Sequence, residues 1–208
     1  MLVLAAPASA NAIDPAVIGS PTRAGQTGLP SPASLTNKLH PRGHLADACP
    51  DANAGAAAAS RQAMQDALVC LVNRQRAAHA LAPLRMSTRL NRSAQGWSDE
   101  MVARHLFSHG ADFAARIRAA GYDWAAAGEN IATGLGTPRA VLRAFMASPG
   151  HCQNILNPTY RDIGVGVDRR SVAGVATGPA TWTEDFGRRM FQSPRSHNWG
   201  PADGCPYG

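Results

Sequence analysis

The sequence predicts an α+β fold in which helices cover a small sheet. Apolar residues recur at helical spacing in four stretches between residues 60 and 146. Short β-type runs then gather in the second half, with one helix between them. No internal repeat at a solenoid period is present.

The first helix is predicted from Ser60, a good N-cap, to about His79. Met64, Ala67, Leu68, Leu71 and Val72 form its apolar stripe, and Arg61, Arg74 and Arg76 lie off it. Pro83 enforces a turn. A second helix runs from Ser87 to about His105, with Leu90, Ala94, Trp97, Met101 and Val102 inward. Asp112 caps a short third helix with Phe113, Ile117 and Ala120 inward, stopped by Gly121. Thr137-Pro138 places an N-cap before a proline at the first helical position. That fourth helix carries Val141, Leu142, Phe145 and Met146 and ends at Ser148-Pro149-Gly150. Ile163–Val167 and Ala180–Gly187 read as strands, and Gly128–Ala132 is a third candidate. The glycines of the first run allow close approach of a neighbouring layer.

Around this ordered region lie segments of another character. Residues 1–12 are predicted to be a truncated signal peptide. Met1–Ala6 is apolar, and Ala8-Ser9-Ala10 fits the small-x-small rule of signal peptidase. Residues 13–58 are rich in Pro, Gly, Ser, Thr and Ala without period, which predicts a disordered linker. Residues 191–208 read as a loop-like C-terminal tail. No stretch reaches the ~18 uninterrupted apolar residues of a membrane span, so no transmembrane anchor is expected.

The chain has 208 residues, 45% of them hydrophobic, which suits one core of ordinary size. Its formal charge is +6, and Lys38 is the only lysine, so arginine carries nearly all the positive charge. Such a balance fits a GC-rich genome, and equally attraction to an anionic envelope surface. The arginines are scattered, without basic runs interleaved with aromatics, and no nucleic-acid partner is expected. Cys49, Cys70, Cys152 and Cys205 contain no close Cys-x-x-Cys pair, which fits two disulfides in an oxidising compartment. Three pairings exist. Cys49–Cys70 with Cys152–Cys205 is preferred, because Cys49 precedes the helix bearing Cys70 and Cys205 lies in a tail that needs tying down.

Few residues are candidates for chemistry. His105 and His109 have the spacing of two metal-binding histidines on a helix, but Leu106 stands where a zinc protease needs its glutamate, and Gly110 follows at once. His151 follows a helix stop, where its imidazole can enter a cleft or cap carbonyls. Glu129, between Gly128 and Asn130, can be solvated or can accept from a cleft histidine. No Gly-x-Ser-x-Gly elbow, phosphate loop or dinucleotide fingerprint is present.

Seven elements in order resemble a known family. They are Leu71-Val72-Asn73-Arg74-Gln75-Arg76, Phe107-Ser108-His109, Ala120-Gly121-Tyr122, Gly128-Glu129-Asn130-Ile131-Ala132, Met146–His151 followed by Asn154-Ile155-Leu156, Ile163-Gly164-Val165-Gly166, and Asp185-Phe186-Gly187. With them, residues 60–190 resemble the bacterial form of the CAP superfamily (cysteine-rich secretory, antigen 5 and pathogenesis-related proteins), the SCP-like extracellular domain. The resemblance implies a three-layer α-β-α sandwich with a small, mostly antiparallel sheet. It also implies a secreted protein with a cleft of two histidines and two acids, which in some members takes a divalent metal. By motif position the cleft residues are His109, His151 and Glu129. The family's second acid is missing, because no Asp or Glu lies between Ile131 and Arg161. Glu184 or Asp185 can replace it, though strand alternation allows at most one to reach the cleft.

No cofactor is required by this set. Zinc or another divalent cation is the metal that His109, His151 and Glu129 with a water would suit. Two functions follow. One is a secreted binding or effector module at the cell envelope or outside the cell, with a small ligand, lipid, peptide or cell-envelope polymer as partner. The other is a metal-assisted hydrolase using the same cleft, with Ser108 or Asn130 orienting substrate.

Overall fold

The computed structural model describes residues 3–4, 8–11, 49–193 and 205. The chain divides into two units, residues 1–12 with 49–208, and residues 13–48. The second unit lies outside the described residues, and with it most of the expected linker. So does the expected tail, apart from residues 191–193 and 205.

Five helices pack on a mixed, mostly antiparallel sheet. The order is β1 (Val3–Leu4), β2 (Ala8–Asn11), α1 (Arg61–Ala78), β3 (Arg85–Met86), α2 (Thr88–Ala103), α3 (Phe113–Ala119), β4 (Trp124–Thr133), α4 (Pro138–Met146), α5 (Pro149–Ile155), β5 (Asp162–Asp168) and β6 (Thr181–Arg189). The strands lie in the order β1-β4-β6-β5-β3, and β2 pairs with the same side of β4 as a continuation of β1. Only β3 and β5 run parallel.

The helices begin where short polar side chains satisfy the first free N–H groups. Ser60 Oγ accepts from Ala63 N at 3.0 Å, and Asp112 Oδ1 from Ala115 N at 2.8 Å. Ser87 and Thr137 cap α2 and α4 in the same way. On one face of the sheet, α1, α4 and α5 bury Leu68, Val72, Phe145 and Ile155 against Trp182, Phe186 and the valines of β5. On the other face, α2 and α3 bury Leu90, Trp97, Met101 and Ile117 near Ala127 and Ile131 of β4. These are the three layers of an α-β-α sandwich.

Several boundaries differ from the sequence expectation. Residues 49–58 are not linker: Cys49, Ala52 and Ala56 are buried, Ala56 N donates to Gly136 O, and Arg139 N donates to Ala52 O. Small side chains let this segment pack tightly although it has no period. Ser148-Pro149-Gly150 is both a stop and a start, because Pro149 occupies the first turn of α5. The second helix ends at Ala103, and His105 adopts a left-handed φ of 52°, so His105 and His109 both lie beyond the helix. The strand β3 has only two residues, too few for a periodic signal.

Both disulfides form as preferred, Cys49–Cys70 and Cys152–Cys205, closing loops of 21 and 53 residues. The chain-entropy relation puts their stabilisation at about 3 and about 4 kcal/mol.

The closest packing is between α2 and β5. A Cβ on Gly164 would lie 2.1 Å from the Leu90 carbonyl carbon, and one on Gly166 2.2 Å from Ala94 O. Both obstacles are backbone, so neither can turn aside. Replacing Gly164 or Gly166 by alanine is expected to cost about 1–3 kcal/mol or more from overpacking. Gly96 is helical with open space around it, so Gly96→Ala should stabilise by up to about 1 kcal/mol. Urea denaturation of the three variants checks the contrast.

Candidate functional site

The site is set by the paired strands β4 and β6. Glu129 lies opposite Asp185, and Asn130 opposite Glu184. Neighbours along a strand point to opposite faces, and cross-strand partners share one. The first pair therefore faces α2 and α3, and the second faces α4 and α5.

On the α2–α3 face, His109 Nδ1 donates to Glu129 Oε1 at 2.7 Å, and the Arg116 guanidinium donates to Glu129 Oε2. Both carboxylate oxygens are thus taken. Glu129 is fully buried, while the His109 and Arg116 side chains are 17% and 19% exposed and form the rim. Arg116 is fixed by its stacking over the Trp97 ring at 4.0 Å and by donating to His109 O at 3.2 Å. Trp97 Nε1 in turn donates to Ser108 O at 3.0 Å. Asp185, also fully buried, is held well above the usual carboxylate range, first by loss of water and then by the Glu129 charge beside it. Ser93 is its other polar neighbour.

On the opposite face, Asn130 Nδ2 donates to Glu184 Oε2 at 3.0 Å and to His151 O at 3.2 Å. Asn154 Nδ2 donates to Asn130 Oδ1 at 2.9 Å and to Glu129 O at 3.2 Å. His151 lies in the first turn of α5, with Nδ1 2.7 Å from Ser148 Oγ and its ring stacked on Phe145. Burial pushes the Glu184 carboxyl up to about 8, offset in part by the bond from Asn130.

Of the residues predicted to converge, His109, Glu129 and Asp185 lie together and His151 does not join them. Nor does Glu184. The physical reason is alternation: Glu129 and Asn130 are adjacent, so the histidines they reach lie on opposite sides of the sheet. Of the expected ligand set, His109 and Glu129 are in contact, and His151 lies beside Ser148 and Phe145. Among the described residues no group of three or more His, Cys, Asp or Glu is placed to hold a metal ion. Arg116 also holds one of the two Glu129 carboxylate oxygens. Ser108 and Asn130, expected to orient substrate, bond within the chain: Ser108 Oγ accepts from Gly110 N at 3.1 Å, and Asn130 is engaged at both ends of its amide. Arg116, Trp97 and Ser93 were not among the expected site residues. Nothing in their spacing marks them, because they reach Glu129 and Asp185 only through the packing of α2 and α3 on the sheet.

Comparison with known proteins identifies the family and the fold. The model of the cysteine-rich secretory protein family, CAP, matches residues 69–185. An uncharacterized Bacillus subtilis protein, YkwD, is 36% identical over 136 residues, covering 62% of this chain and 49% of that protein. An uncharacterized Bacillus subtilis membrane protein, YlbC, is 34% identical over 104 residues, covering 48% of this chain and 30% of that protein. The chain therefore spans half or less of the length of these relatives. Among solved structures, an extracellular protein containing an SCP domain from Bacillus anthracis superposes with a TM-score of 0.53 at 25% identity, covering 63% of this chain and 44% of that one. A cysteine-rich secretory protein from Staphylococcus aureus shares the fold, with a TM-score of 0.52 at 17% identity over 62% of this chain and 39% of that one.

The buried acids make stability depend on pH. Between the ordinary value of 4.5 and about 8, Glu184 keeps its proton when folded and loses it when unfolded. The folded state then holds more protons, so stability falls as pH rises through this window, by at most about 1.4 kcal/mol per pH unit for one such group. Asp185 adds to the slope with the same sign. Denaturation from pH 4.5 to 8 should show the decline, and Glu184→Gln should reduce its slope by one proton. An unchanged slope in that variant would contradict the assignment.

Proposed function

We propose, from the premise that this chain belongs to the cysteine-rich secretory protein (CAP) family, that it is an exported binding module for anionic polymers of the cell envelope. One observation carries the reading. Glu129 is closed off by His109 and Arg116, so the site presents an imidazole and a guanidinium at its rim and keeps its carboxylates inside. No carboxylate of the site is accessible, and the groups at the rim are cationic or neutral, which suits recognition of an anion.

Export is supported by the cysteines, all four of which are paired. Relatives described as extracellular or secretory point the same way. No helix among the described residues is long and apolar enough to cross a membrane. An anionic partner is supported by the formal charge of +6 and by the arginine and histidine at the rim. Electrostatic attraction of this kind steers association and is screened by salt.

The test is sedimentation of the purified protein with isolated bacterial cell walls, intact or chemically stripped of their anionic polymers. Binding should be strong on intact walls, weak on stripped ones, and lower as salt is raised. His109→Ala leaves Glu129 its bond to Arg116 and should fold, yet bind walls severalfold more weakly. Equal binding to both wall preparations, or release of soluble wall fragments during incubation, would contradict the proposal.

A further inference from the structure

The two long edges of the sheet are protected in different ways. On β5, side chains of α2 do the work. Asn91 Oδ1 accepts from Val165 N at 2.9 Å, Gln95 Oε1 accepts from Val167 N at 3.0 Å, and Gln95 Nε2 donates to Val167 O at 3.1 Å. These bonds satisfy the edge permanently. On β4 the cover is another piece of backbone. Ala8, Ser9, Ala10 and Asn11 pair antiparallel with Glu129, Gly128, Ala127 and Ala126, and Val3 and Leu4 with Thr133 and Ala132.

The strand beneath that cover is unusual for an edge. Trp124–Thr133 is ten residues long and contains no lysine, arginine or proline; of the usual devices against pairing with another chain it has an irregularity between Trp124 and Ala126 and the inward-facing Glu129. Its surroundings also set a size limit. A Cβ on Gly128 would lie 2.4 Å from Tyr160 Oη and 3.0 Å from Asn154 Oδ1. Tyr160 and Asn154 are held there by donating to Ala127 O and Glu129 O. Tyr160, stacked on Phe186 of the neighbouring β6, and Asn154 thus fill the space over Gly128 itself. The segment found there reads Ala-Ser-Ala-Asn, with Ser9 opposite Gly128.

We infer that the edge of β4 over Ala126–Glu129 is a strand-accepting site for an extended peptide with small, uncharged side chains, and that residues 8–11 are its intramolecular occupant. Main-chain hydrogen bonds supply the affinity, as in β-strand addition generally, and the Ala-Ser-Ala-Asn sequence of the present occupant indicates the chemistry that the edge accepts. The occupant also carries the small-x-small pattern at Ala8-Ser9-Ala10, so a cut after Ala10 would leave it held by pairing alone and exchangeable with a partner segment of the same chemistry. This inference does not rest on the envelope-binding proposal, since it concerns another surface and purified protein alone.

The experiment uses the full chain with a specific protease site inserted within residues 20–40. After cleavage of the folded protein, the N-terminal fragment should co-elute with the body on native size exclusion. A synthetic, isotope-labelled peptide of residues 1–12 should then exchange into the complex, as read by intact mass. Amide hydrogen exchange of Ala126–Glu129 should be about tenfold slower in the filled complex than after the fragment is washed away. The same peptide with Ser9→Pro and Ala10→Pro, which removes two backbone donors, should fail to exchange in, and one with Ser9→Trp should bind much more weakly. Free elution of the fragment, with no uptake of the labelled peptide and no change in β4 exchange, overturns the inference. So does uptake of the double-proline peptide as readily as the natural one.

Discussion

The strands β4 and β6 are covered by helices on both faces, yet each carries an acid into that dry interior. Glu129, Glu184 and Asp185 are all fully buried. An ionised carboxylate cannot remain there without donors, and a carboxylate without donors keeps its proton. The structure uses both solutions on one pair of strands. Glu129 receives Arg116 and His109, whereas Glu184 and Asp185 are pushed toward the neutral form. Buried ion pairs are poor sources of net stability, but removing one partner leaves an uncompensated charge. This explains why Arg116 is itself braced, by the Trp97 ring and by the carbonyl of His109. The site is thus a chain of mutual constraints that starts from one strand pairing.

Other parts of the molecule depend on how closely its layers approach. Gly164 and Gly166 let the backbone of α2 lie directly on β5. Only at that distance can the short amides of Asn91 and Gln95 reach the edge of β5. Gln95 also accepts from Gln65 Nε2 at 3.0 Å, which ties α1 into the same network. On the far side, α5 has seven residues, too few to persist as an isolated helix. It is held by Arg76, which donates to Ile155 O and Asn157 O at 2.7 and 2.9 Å, by Asn154, and by the Cys152–Cys205 bond.

What could be read in advance follows from which interactions are local. Ser60, Ser87, Asp112 and Thr137 announce their helices, because a cap acts within three residues of itself. The valines of β5 and the glycines between them announce a strand against a close neighbour. Helix α5 was hidden because Ser148-Pro149-Gly150 looks like a terminator, and the anchors that make a helix of the next residues, Arg76, Asn130 and Cys205, are remote in sequence. Residues 49–58 were hidden because alanine-rich packing has no period. At the site, the resemblance drew His109, His151 and Glu129 together; alternation along β4 puts Glu129 with His109 on one face and Asn130, which bonds the His151 carbonyl, on the other. That rule was available from Glu129 and Asn130 alone. Which helices cover which face was not, since it depends on the whole topology, and Arg116 was invisible for the same reason.

For the proposed envelope-binding role, the closed interior fixes the relevant surface in advance. The loop after α2 carries His109, and three contacts fix it from within. Trp97 holds the Ser108 carbonyl, Arg116 holds the His109 carbonyl, and Ser108 Oγ holds Gly110 N. Gly110 is required twice over: its φ is +74°, and a Cβ there would lie 2.9 Å from Trp97. A loop already in its working conformation loses little entropy when a ligand arrives. The buried acids therefore act at a distance. They position Arg116, Arg116 and Trp97 position the loop, and the loop holds an imidazole at the rim. An apolar core could supply the packing, but it could not orient a guanidinium and an imidazole side by side, which is the arrangement that an anionic partner would meet first.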